Sequence, residues 1–169
     1  LGFLYDCSTE EGWDSIFDGS NFNWPVKEDD LWIMPCYPVI IPPDDMCHKY
    51  GLEVGTRKSK VGIGPDDEPF DENDGKITGL DYNMLCSYKM NKAEFLATLK
   101  YTFDLRLKGN RCPMLFGAHS DFYDDSSTLM ENITPKEMRE AVEEFLAYAS
   151  SFDNVYIASY KKVIDYLNG

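Results

Sequence analysis

The chain holds two histidines, His48 and His119, and His119 is the one set up for chemistry. Asn110 to Asp125 read Asn-Arg-Cys-Pro-Met-Leu-Phe-Gly-Ala-His-Ser-Asp-Phe-Tyr-Asp-Asp. The apolar run Met114 to Ala118 predicts a strand that delivers His119 to the start of a polar loop. A strand end aims a side chain, and the loop after it opens a site. Imidazole has the ordinary pKa nearest neutrality, so it suits general acid or base work. A histidine in that place can also do no more than pack at a strand end. One histidine without visible partners does not separate the two readings.

Other residues are weaker candidates. Asp6 ends a first apolar run, Gly2 to Cys7, and can share a rim with His119 if the two strands run parallel. It serves equally well as a turn-capping aspartate. Asp121 and Tyr123 follow His119 closely enough to touch a ligand. Trp13 and Trp24 fall in loops, as sugar platforms or as buried anchors. Asp66 to Asp74 is densely acidic. Glu72, Asp74, Gly75 and Asp81 fit several spacings of a calcium loop, but its first position would be Phe70, which cannot ligate, so a solvated loop is the plainer reading. Five cysteines include no CxxC pair, and their odd number leaves at least one unpaired within the chain. Cys7 and Cys112 lie in strand-like segments and are expected to be buried. A hydrolase using Cys112 or Cys47 as nucleophile stays open.

The elements that must position these groups follow from spacing. Gly2–Cys7 and Leu31–Met34 read as strands, with a loop over 10–24 between them. Tyr37–Asp45 carries three prolines and reads as an extended connection. Gly51–Gly79 is the least regular part. Asn91–Lys108 reads as a helix: Asn91 caps it, Glu94 stands at the capping-box position and Gly109 stops it. Phe95, Leu96, Leu99, Phe103 and Leu107 share one face. Thr134-Pro135-Lys136-Glu137 opens a second helix whose stripe is Met138, Ala141, Val142, Phe145, Leu146 and Ala149. Val155–Ala158 reads as a strand and Tyr160–Leu167 as a short helix. Helices alternating with strands predict an α/β fold with parallel strands. In such folds active groups collect at the C-terminal strand ends.

Composition narrows the function. With 43% hydrophobic and 14% aromatic residues, the 169-residue chain can build a core rather than stay disordered. A net charge of −14 argues against nucleic acid and against anionic membrane surfaces, and is compatible with a neutral sugar polymer. No membrane-spanning run is present.

Three stretches carry a family resemblance. Gly109 to Tyr123 resembles the last motif of the polysaccharide deacetylases (the NodB-homology group, carbohydrate esterase family four), above all those acting on chitin and its oligosaccharides. Leu1-Gly2-Phe3-Leu4-Tyr5-Asp6-Cys7-Ser8 is similar to the family's "GF-x-YDSS" segment, and Leu31-Trp32-Ile33-Met34-Pro35 to its "LWE-x-P" segment. Asn154 to Tyr160 and Val163 to Leu167 look like the closing strand and helix. Residues from about Cys36 to Met84 match nothing in the family, so an irregular insertion is expected over about 37–84. The resemblance implies the C-terminal part of a distorted parallel (β/α) barrel, in a secreted or periplasmic hydrolase.

It also implies roles. His119 would protonate the departing amine. Asp6 would supply the carboxylate that orients it, since an imidazolium gains from a negative charge beside it. In the family an apolar residue two before the histidine walls the acetyl methyl; here that position is Gly117, with Phe116 and Ala118 beside it, so a pocket wider or lined from elsewhere is expected. The family holds a divalent metal, zinc above all, with an Asp and two His that precede the segments matched here. No His-x-x-x-His occurs in this chain, so the metal ligands are expected in an N-terminal part outside it, either cleaved off or on another chain. The expected function is removal of N-acetyl groups from N-acetylglucosamine polymers or oligomers. A catalytically inactive, carbohydrate-binding relative is the alternative.

Overall fold

The computed structural model describes residues 2–61, 75–77 and 79–169. The acidic run 66–74, with Phe70, Glu72 and Asp74 of the calcium reading, lies outside the described residues. The strands are β1 (Tyr5–Asp6), β2 (Val26–Glu28), β3 (Leu31–Ile33), β4 (Val39–Ile40) and β5 (Lys76–Ile77). The helices are α1 (Cys47–Tyr50), α2 (Thr56–Lys60), α3 (Lys92–Lys108), α4 (Pro135–Ser150) and α5 (Tyr160–Leu167).

Both sheets are small. In the first the order is β1-β3-β2. β1 runs parallel to β3, with Tyr5 opposite Trp32 and Asp6 opposite Ile33. β2 and β3 form an antiparallel hairpin with Glu28 opposite Leu31. Its two-residue turn begins at Asp29, whose φ of 51° is a conformation that aspartate tolerates. The second sheet pairs β4 antiparallel to β5. The fold is thus mixed α/β, with antiparallel pairs beside the parallel one. Met114–Ala118 and Val155–Ala158 carry no ladder partner among the described residues. Apolarity marks a segment for burial, whereas a strand also needs a neighbour to pair with. In the second of these segments Tyr156 stays 87% exposed.

The core is built around α3. Asn91 and Glu94 cap it reciprocally: Asn91 Oδ1 accepts from Glu94 N at 3.0 Å, and Glu94 Oε2 from Asn91 N at 2.9 Å. The sequence pattern shows one apolar face, but α3 is buried on several sides, Thr98, Thr102, Asp104 and Arg106 included. The threonine hydroxyls donate to the carbonyls four residues back. Thr102 Oγ1 also accepts the Ile40 N–H of β4 at 2.8 Å. α4 lays Met138, Ala141, Phe145 and Ala149 on the same core. Leu146, expected in that stripe, is exposed. The Phe103 ring stands edge-on to Phe145, 6.1 Å away, and also meets Tyr148 and Phe152. α5 packs through Ile164 onto Trp32 and Met34.

The 10–24 loop docks on the C-terminal end of α3 through two glycines. A Cβ on Gly19 would lie 2.1 Å from the Leu105 carbonyl oxygen, and one on Gly109 would lie 2.0 Å from that of Gly19. The close approach lets Asn110 N–H reach Gly19 O at 2.9 Å. Cys112 is buried as expected, but Cys7 is exposed, because β1 is the edge of its sheet.

Candidate active site

His119 ends the segment that leaves α3, and caps a single 3₁₀ turn, Ser120–Phe122. Phe122 is sunk in the main core and anchors that turn. The imidazole therefore sits at a fixed place with its side chain 51% exposed.

A carboxylate meets it from another part of the chain. Gly79 passes so near Tyr37 that a Cβ there would lie 1.8 Å from the Tyr37 carbonyl oxygen, and only glycine fits. Asp81 and Tyr82 then open a turn that continues as the π-helical Asn83–Ser87, with Met84 and Leu85 buried. Such wide turns recur at functional sites. The Asp81 side chain is 0% exposed. Its Oδ2 accepts the His119 backbone N–H at 2.7 Å, and its Oδ1 accepts the Tyr82 N–H at 2.8 Å. Oδ1 also lies 2.5 Å from His119 Nδ1. A carboxylate accepts, so Nδ1 carries the proton and Nε2 is the nitrogen left for exchange. The pair has the form of an acid–base dyad: a buried carboxylate orients the ring and the ring faces solvent.

Asp81 takes the place expected for Asp6. The Asp6 carboxylate instead accepts from Ser8 N at 2.8 Å and Ser8 Oγ at 2.7 Å. Those bonds hold its carboxyl below the ordinary value, and Asp6 is a turn-capping aspartate at the end of β1. The Tyr123 hydroxyl is buried beside the Asp81 carboxylate, not turned out towards a ligand. Burial, and then that carboxylate, push its phenol well above the ordinary range. Asp121 is exposed next to His119 and takes a long bond from Ser120 Oγ at 3.4 Å. Phe116 turns inward, edge-on to Phe95 at 6.4 Å, so it is core rather than pocket wall. Gly117 packs near Leu80, whose Cδ2 a Cβ would meet at 3.1 Å. Trp13 lies in the 10–24 loop, its carbonyl accepting from Lys76 Nζ at 2.6 Å.

Two site residues carry little signal in the sequence. Asp81 fits a calcium-loop spacing, and its stronger signal is a lone carboxylate between Leu80 and the apolar Met84-Leu85 pair, in a chain with two histidines to satisfy it. Tyr82 carries no such signal; it stands beside the imidazole, ring centroids 6.2 Å apart.

Thiol chemistry finds no support in the geometry. Cys112 and Cys47 are buried, and burial raises both thiols. A nucleophilic cysteine needs the opposite shift. Cys112 Sγ lies 2.8 Å from Asn23 O, as a thiol donor does. Among the described residues no three His, Cys, Asp or Glu side chains converge as a metal site. Among them no helix is long and apolar enough to cross a membrane. No family model matches the chain, and no curated protein or solved structure matches it either.

Proposed function

We propose that this chain supplies the general-acid side of a polysaccharide deacetylase site, acting on N-acetylglucosamine-containing polymers or oligomers of the chitin type. The observation that carries the reading is the Asp81–His119 pair, with Nδ1 held by a carboxylate of 0% exposure. In hydrolysis of an N-acetyl group the C–N bond breaks, and the amine nitrogen must collect a proton as it leaves. As an imidazolium, with Nδ1–H held by Asp81, His119 gives that proton from Nε2 and is left neutral; Asp81 balances the ring's charge before the transfer. The divalent metal of such enzymes, zinc foremost, would be held by residues outside this chain, in the remainder of the same domain.

Exposed apolar side chains support that division. Phe3 is 75% exposed, and Tyr5, Val26, Tyr156 and Ile157 are exposed with it. β1 forms a sheet edge. An unpaired edge with apolar neighbours is where further strands of a barrel would add.

The test is acetate release from N-acetylglucosamine oligomers by the natively purified protein and its His119→Ala variant. The variant should lose about two to four orders of magnitude in turnover. Activity within a few fold of wild type would remove His119 from the mechanism. A second reading rests on the lack of a convergent ligand set among the described residues: a carbohydrate-binding relative without turnover. It predicts sugar binding with no acetate released by any form of the protein.

A further inference from the structure

Tyr82 neighbours the dyad without taking part in it. Its ring centroid is 6.2 Å from that of His119 with the planes 60° apart, and 6.1 Å from that of Phe122 with the planes 38° apart. Phe122 is buried, whereas Tyr82 stays 51% exposed. The three rings descend from solvent into the core. The Tyr82 N–H donates to Asp81 Oδ1, the same oxygen that takes His119 Nδ1–H. One buried carboxylate thus holds the imidazole and the backbone of Tyr82. Single exposed aromatics are ordinary on a protein surface. This one stands beside the proton donor, on backbone held by the same carboxylate, as a ligand-facing ring would.

The local charge says what the ligand is. Asp121, Asp124 and Asp125 are exposed just beyond His119, in a chain of net charge −14. An anionic ligand would be repelled there. A flat aromatic face suits the C–H face of a neutral pyranose, and the phenol supplies a polar tip at its rim. We infer that Tyr82 is the stacking platform for a neutral pyranose ring of the saccharide whose N-acetyl group His119 serves. The inference rests on the carbohydrate reading above and adds the subsite and its preference for uncharged rings.

The experiment is a calorimetric titration of N-acetylglucosamine oligomers into wild type, Tyr82→Ala, Tyr82→Phe and Tyr82→Trp, with oligogalacturonate as an anionic control. Tyr82→Ala should weaken binding about three- to tenfold, and Tyr82→Phe and Tyr82→Trp should restore it. The control should not bind. No turnover is needed for this measurement. Unchanged affinity in Tyr82→Ala, or equal losses in Tyr82→Ala and Tyr82→Phe, overturns the platform and leaves the deacetylase reading standing. If wild type binds no glycan, the platform and the carbohydrate reading fall together.

Discussion

Asp81→Asn is the most informative substitution in this chain. The carboxylate receives three N–H groups: His119 N and Tyr82 N at 2.7 and 2.8 Å, and His119 Nδ1 at 2.5 Å. An asparagine keeps the shape, but one oxygen becomes an NH₂. Whichever way the amide turns, that NH₂ faces at least one of these donors. A buried donor left without an acceptor costs about 1–3 kcal/mol, and a charge-assisted bond is lost with it. The variant should therefore unfold about 2–4 kcal/mol more easily, read as a lower denaturant midpoint at unchanged slope. Turnover should suffer more than folding. Without the negative charge the imidazolium loses its counter-charge, and an amide NH₂ facing Nδ1 selects the tautomer with that nitrogen bare. Acetate release should fall about 10²–10⁴-fold. The two residues act as one unit, so His119→Ala combined with Asp81→Asn should be no slower than His119→Ala alone. Activity of Asp81→Asn within threefold of wild type would refute the dyad, and so would losses that multiply in the double variant.

Two further outcomes follow from the buried polar groups. Asp104 is sunk in α3. Burial alone would raise its carboxyl, but bonds from Tyr148, Tyr50 and Lys49 outweigh that and hold it below the ordinary value. A carboxyl lowered by folding adds stability above its unfolded pKa of about 3.9 and loses it as pH falls further. Denaturant midpoints should drop as pH falls below about 4, and less steeply in Asp104→Asn; parallel pH curves would show that this carboxylate does not carry the effect. Alkylation of the native protein should reach exposed Cys7 first. It should spare Cys47 and Cys112 until unfolding, since both are buried with raised thiols. Mass mapping that finds Cys112 modified early would reopen the thiol reading.

The helices were legible because their signals are local. Asn91 with Glu94, and Thr134 with Pro135 and Glu137, announce α3 and α4 within four residues, and the structure realises both capping boxes. α5 spans Tyr160–Leu167, as the apolar pattern predicts. The strands were less legible because pairing is a property of two segments. Leu31–Ile33 has β1 and β2 beside it and becomes β3. Met114–Ala118 is just as apolar, yet carries no ladder among the described residues. The encircled burial of α3 was hidden for a related reason: Thr98 and Thr102 look like a polar face until β4 and the i−4 carbonyls satisfy them.

The candidate site divides along the same line. His119 could be found from its own neighbours, because an apolar run ending in a histidine and a polar loop is a local pattern. Its carboxylate could not. Asp6 ends an apolar run and matches the resembled family's motif position, but position at a strand end says nothing about which way a carboxylate turns, and Ser8 two residues on offers a nearer partner. Asp81 is 38 residues from His119 in sequence. What brings it there is the packing of Met84 and Leu85 into the core, which drags the start of their turn inward. A carboxylate carried into that core without partners would cost several kcal/mol. Burial therefore selects Asp81 for a role only where donors wait for it, and His119 offers two, its backbone N–H and Nδ1–H. Once the chain places a lone acid among apolar neighbours, the question to ask of the sequence is which donors can reach it.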